Sequence, residues 1–128
     1  MGNLLKLRQA LEASWDEKTS YRAVKQDGNP SLGQCYPTSW LVQQYFPEMK
    51  IAKGKVWNGR EEETHFWNVL DINGEKYHVD LTWRQFPHGS YVTSFNILDR
   101  NNLRDGQETV ERCSTLQKRV EDKLRMIQ

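Results

Sequence analysis

Of the two cysteines in the sequence, Cys35 stands where thiol chemistry would place one. Pro37 follows two residues later, and a helix tolerates proline only in its first turn. A helix from about Cys35 to Phe46, ended by Pro47, therefore puts this thiol at a helix N-terminus. Backbone N–H groups there lack intrahelical partners, and the helix dipole favours negative charge. Both effects suit a thiolate and a developing oxyanion. The turn-rich stretch Asp27-Gly28-Asn29-Pro30-Ser31-Leu32-Gly33 lies directly before Cys35 and reads as a functional loop.

A base and an orienting acid come from the next hydrophobic segments. Asn73-Gly74 is a two-residue hairpin signal between strands predicted over 64–72 and 75–82. With that turn, Ile72 pairs with Glu75, Trp67 lies opposite Asp80, and His65 opposite Thr82. Strand side chains alternate faces, so His65 and Asp80 become diagonal neighbours about 7–8 Å apart at the backbone. A carboxylate there accepts the imidazole N–H and fixes the ring. Cys35, His65 and Asp80 together imply acyl transfer on an amide or peptide carbonyl through a thioester, with no cofactor.

Gln34, Trp67 and Trp83 are candidates for substrate or oxyanion contacts, and Tyr91 for a groove wall. His78 and His88 read as structural or surface residues. No metal is expected, because Cys35 and the three histidines lack the short paired spacings of zinc sites. Cys113 reads as an inert buried thiol, and no Cys-x-x-Cys suggests redox exchange. The rival to an enzyme is a binding module that uses the same fold to recognise a peptide or glutamine-like group.

The order Gly33-Gln34-Cys35, His65-Phe66-Trp67-Asn68 and Val79-Asp80-Leu81-Thr82 resembles the core of the transglutaminase-like branch of papain-like cysteine enzymes. A closer resemblance, to small bacterial YunG-type proteins, adds Ser14-Trp15, Thr19-Ser20, Asn29-Pro30-Ser31 and Gln85-Phe86. It implies a papain-like fold with Cys35 as nucleophile, His65 as general base and acid, and Asp80 as orienting carboxylate. Gln34 adjoins Cys35 rather than standing several residues upstream, where papain-type proteases carry an oxyanion glutamine. The resemblance does not extend to the extra domains and calcium-binding regions of true transglutaminases, so neither is expected. Hydrolysis, deamidation and transamidation all stay open.

These residues need elements to hold them. Leu4, Leu7, Leu11 and Trp15 predict an amphipathic helix over 3–15, with Asn3 as its N-cap. Residues 16–34 read as an irregular connection. Trp40, Leu41, Gln44 and Tyr45 are the predicted inward stripe of the central helix. Residues 50–57 give a weak strand, Asn58-Gly59 a turn, and Glu61-Glu62-Glu63 a solvated loop. Residues 83–93 should be irregular with one short strand. A charged helix over 107–127 should turn Val110, Cys113, Leu116, Val120 and Leu124 inward. The fold class is α+β in one domain, 1–128, with N-terminal, central and C-terminal helices on an antiparallel sheet of three to five strands.

Composition agrees with a globular chain. At 128 residues, 37% hydrophobic and 27% charged, it can bury a core without disulfides. Eighteen Lys and Arg against seventeen Asp and Glu, interspersed, argue against a nucleic-acid partner. No apolar run spans a bilayer, and Met1–Arg8 lacks a signal-peptide core, so a cytoplasmic protein with free thiols and no membrane partner is expected. The expected partner is a peptide, protein or small amide substrate; oligomeric state has no signature.

Overall fold

The computed structural model describes residues 4–20, 29, 31–99 and 105–127. They form an α+β fold of three α-helices and a four-stranded antiparallel sheet.

Helix α1 (Leu4–Glu12) buries Leu7, Ala10 and Leu11. It ends before the predicted Trp15, because the Ser14 hydroxyl takes the Ala10 carbonyl at 2.7 Å and local bonds tighten the last turn. Trp15 leaves the helix and its indole N–H donates to Thr38 at 3.0 Å. The expected N-cap, Asn3, lies outside the described residues.

Helix α2 (Cys35–Tyr45) begins at the predicted thiol. Its inward face keeps Leu41 and the partly buried Trp40 of the predicted stripe, but Thr38, Ser39 and Val42 are buried too, while Tyr45 is 39% exposed. Polar partners turn it. Thr38 receives the Trp15 indole, and the buried Asn68 side chain donates to the Ser39 carbonyl at 3.0 Å. A pattern of apolar residues alone does not register such contacts.

The sheet contains β1 (Lys50–Trp57), β2 (Glu62–Ile72), β3 (Glu75–Val79) and β4 (Tyr91–Ile97), in the order β3-β2-β1-β4. The segment with a weak strand signal, β1, is therefore one of the two inner strands. Glu62 and Glu63, expected in a loop, open β2, and Trp57 pairs with Glu62 across the Asn58 turn. Asn73 and Gly74 both have positive φ, 53° and 87°, and Ile72 pairs with Glu75 as the turn predicted. The partner strand is shorter than expected. It ends at Val79, opposite Asn68. Beyond it the chain makes a single 3-10 turn, Trp83–Gln85, and crosses to the far edge, where β4 pairs with β1 through Ile97.

Helices cover one sheet face around Leu11, Leu41, Val42, Met49, Leu70, Leu116 and Val120. A smaller cluster of Ala52, Trp67 and Val69, with Ile97 against it, lies on the other face. Helix α3 (Gln107–Ile127) buries Cys113, Leu116 and Val120, whereas Val110 is 46% exposed because packing begins one turn later. No helix among the described residues is long and apolar enough to cross a membrane.

Gly54 links the sheet to the site. A Cβ there would lie 2.3 Å from the Ser94 carbonyl oxygen, 2.6 Å from the Trp67 ring and 2.8 Å from the Phe95 Cβ. With backbone among the obstructions, Gly54→Ala should destabilise the fold by about 3 kcal/mol. Urea unfolding measures it; an unchanged midpoint would contradict the packing of Trp67 across β1.

Candidate active site

The early end of β3 creates the site. Past the Asn68–Val79 pair, residues 65–67 of β2 have no partner on that side. The head of α2 occupies this stretch. Tyr36 packs edge-on against Phe66 at 4.9 Å, Ser39 receives Asn68, and the Cys35 thiol acts on His65.

His65 is the centre of the arrangement, with 0% of its surface exposed. Nε2 meets Asp80 Oδ2 at 2.6 Å. Trp67 stacks on the ring at 5.5 Å and 23°, Phe86 stands perpendicular at 4.7 Å, and Trp83 is edge-on at 6.1 Å. With Nε2 committed to Asp80, Nδ1 is the nitrogen left for the thiol. Nδ1 has no hydrogen-bond partner of ordinary geometry, and the nearby Cys35 side chain raises the proton affinity of the ring.

Burial is the largest influence on His65 and works against its charged form. The Asp80 hydrogen bond, then the thiol and the charges of both groups, outweigh it and push the imidazole from 6.5 up to about 9. The ring is therefore an imidazolium at neutral pH.

Asp80 is held in turn. Its Oδ1 accepts the Thr82 N–H at 3.1 Å and the Thr82 hydroxyl at 3.3 Å, which leaves Oδ2 for His65. This local turn competes with the ladder and takes Asp80 out of β3. The predicted diagonal pairing therefore survives as a contact, with Asp80 one residue beyond the strand.

The other predicted residues divide. Trp67 and Trp83 wall His65. Gln34 is buried beside the thiol, but its carboxamide is engaged at both ends: Oε1 accepts from Thr19 at 2.7 Å, and Nε2 donates to the Asp16 carbonyl at 2.9 Å. Asp16 is paired with Arg119 of α3 at 2.8 Å, so Gln34 anchors the chain in front of Cys35 to the helical layer. Tyr91 is 56% exposed and is not among the rings around His65. His78 accepts the Trp67 indole N–H at 2.9 Å, and His88 is exposed. Cys35 is partly exposed, whereas Cys113 is buried. Burial first, then the Asp105 charge, pushes the Cys113 thiol up to about 12 against a smaller opposing effect of Arg112. Among the described residues, no group of three or more His, Cys, Asp or Glu is placed to hold a metal.

Sequence reasoning assigned no role to Thr82, Phe86 or Asp16. Thr82 had a readable signal, a hydroxyl two residues after a carboxylate. Phe86 had none, because its contact with His65 follows from the 3-10 turn.

The family model described as YunG protein matches residues 3–125, a span that includes Cys35, His65 and Asp80. The chain belongs to the YunG family. No curated protein and no solved structure matches it. The match covers both halves of the site and the turn that joins them.

The raised proton affinity of His65 makes the stability of the fold depend on pH. A group whose folded pKa exceeds its unfolded value stabilises the fold fully below the unfolded value, here 6.5, and loses that contribution as pH rises through about 9. The difference corresponds to on the order of 3 kcal/mol. Imidazole NMR should find His65 still protonated at pH 8. Asp80→Asn, which leaves burial in place, should bring its titration below 6.5. A native ring that titrates near 6.5 would overturn the Asp80 assignment.

Proposed function

We propose that this YunG family protein is a cysteine-dependent acyl-transfer enzyme acting on amide or peptide bonds, built on a papain-like core of the transglutaminase-like branch. The observation that carries the reading is the buried His65: Asp80 holds Nε2 at 2.6 Å, and Nδ1 is left for a thiol at the head of α2.

In this reading His65 holds the proton of Cys35 as an imidazolium, and the Cys35 thiolate attacks the carbonyl carbon of the amide. The carbonyl π-electrons move onto oxygen as the S–C bond forms. Pro37 has no N–H, and the N–H groups of Gln34 and Thr38 are bonded to the carbonyls of Ser31 and Gln34. In this reading the oxyanion is held by backbone N–H groups at the helix head around Cys35. When the tetrahedral intermediate collapses, the C–N bond breaks and His65 gives its proton to the leaving nitrogen. The thioester that remains is resolved by water or an amine, whose proton returns to neutral His65. Asp80 keeps the ring aligned for both transfers and stabilises its charged form. Trp67, Trp83 and Phe86 keep water from the pair, which strengthens their interaction. The chemistry uses no cofactor.

Partly exposed Cys35 beside an imidazolium and buried Cys113 should react very differently. Iodoacetamide at pH 7, followed by peptide mass spectrometry, should label Cys35 at least about tenfold faster. With libraries of carboxamides and peptides, native protein should accumulate a covalent acyl adduct that Cys35→Ala does not. Slower labelling of Cys35, or amide binding that is equal in Cys35→Ala with no adduct in either protein, would replace the enzyme by a binding module.

A further inference from the structure

The two halves of the site lie far apart in sequence, and one side chain bridges them. Gln85 Nε2 donates to the Thr82 carbonyl at 3.0 Å, and the Gln85 backbone N–H shares that acceptor at 3.1 Å. Thr82 is the residue whose N–H and hydroxyl hold Asp80. At its other end, Gln85 Oε1 receives the N–H of Gly33, two residues before Cys35, in a long contact of 3.5 Å. The Gln85 carbonyl also accepts the Asn29 side-chain amide at 3.1 Å. In the same loop the Leu32 N–H donates to the Asn29 carbonyl and the Gln34 N–H to the Ser31 carbonyl. Phe86, the next residue along, stands perpendicular to the His65 ring.

We propose that Gln85 is a positioning residue that sets the Cys35 thiol against the His65–Asp80 pair by tying the loop ahead of the nucleophile to the turn that holds the carboxylate. The inference rests on the acyl-transfer reading of the site, in which thiol and imidazole must stay within reach of one reacting carbon. Three separate elements must meet there: the head of α2, the stretch of β2 beyond its pairing with β3, and the turn after β3. Packing fixes β2 against the turn through Phe86 and Trp83. Hydrogen bonds to Gln85 join the α2 loop to that same turn. A 1 Å error between reacting groups is enough to slow chemistry by orders of magnitude.

A bridge that only added stability would leave the electrostatics of His65 alone, so the test reads them. The His65 titration by NMR and the iodoacetamide rate of Cys35 are compared in native protein, Cys35→Ala, Gln85→Met and the double variant. Methionine keeps the length of the side chain and removes both of its hydrogen bonds. Gln85→Met should lower the His65 titration by roughly one unit, as loss of the thiol does in Cys35→Ala. The double variant should titrate no lower than Cys35→Ala. Alkylation of Cys35 in Gln85→Met should slow roughly ten- to a hundredfold. If Gln85→Met titrates and alkylates like native protein and only melts earlier, the proposal is wrong. Should that variant fail to fold, Gln85→Glu, which keeps the acceptor and loses the donor, and Asn29→Ala, which deletes the second tie, decide by the same readouts. If amide libraries yield no adduct but Gln85→Met still uncouples ring from thiol, the positioning role stands and the enzyme reading falls.

Discussion

A fully buried imidazole with a carboxylate on one nitrogen sets the terms for the rest of this structure. Taking His65 out of water costs free energy whenever the ring is charged. The 2.6 Å contact with Asp80 compensates, and the surrounding rings of Trp67, Trp83 and Phe86 keep competing water away. The low polarity that penalises an isolated charge thus strengthens the attraction once a partner is in place. Asp80 itself stays ordered because Thr82 occupies its second oxygen.

This requirement accounts for features that otherwise look like irregularities. The hairpin begins with a tight, well-paired turn at Asn73-Gly74, yet its second strand ends after five residues. Had β3 continued, Asp80 would be one more ladder residue, and the edge of β2 beside His65 would be closed to α2. Ending the strand frees the carboxylate to turn back and admits the helix head. Gly54 serves the same end from the opposite side. Without a side chain there, the Trp67 indole extends across β1 and stacks on His65.

The sequence revealed the parts of this arrangement that depend on neighbours in the chain. Asn73-Gly74 specified both turn and register, because two successive residues with positive φ suit few other contexts. Pro37 placed Cys35 at a helix head because proline permits few alternatives. Legibility failed where a distant contact decided the outcome. The buried face of α2 is set by Trp15 and Asn68, polar partners 23 and 29 residues from the residues they meet. The weak β1 segment became an inner strand because β4 arrives from beyond Asp80 to pair with it. Glu62 and Glu63 look like a solvated run, yet one pairs across from Trp57 and the other from Val56. Hydropathy reports what a residue prefers alone; pairing across a sheet reports what its neighbours permit.

The contrast between Cys35 and Cys113 shows why residue type alone was never enough. Both are free thiols, and both sit on helices. Cys113 is buried on α3, where burial and the Asp105 charge oppose ionisation and hold its pKa near 12. Cys35 is partly exposed at a helix head, opposite a ring that carries positive charge at neutral pH. A thiol meant only to fill space gains nothing from a neighbour so costly to bury. In the acyl-transfer reading proposed for this site, the buried, carboxylate-held histidine beside Cys35 is the group that moves the proton, a role its raised proton affinity and burial suit.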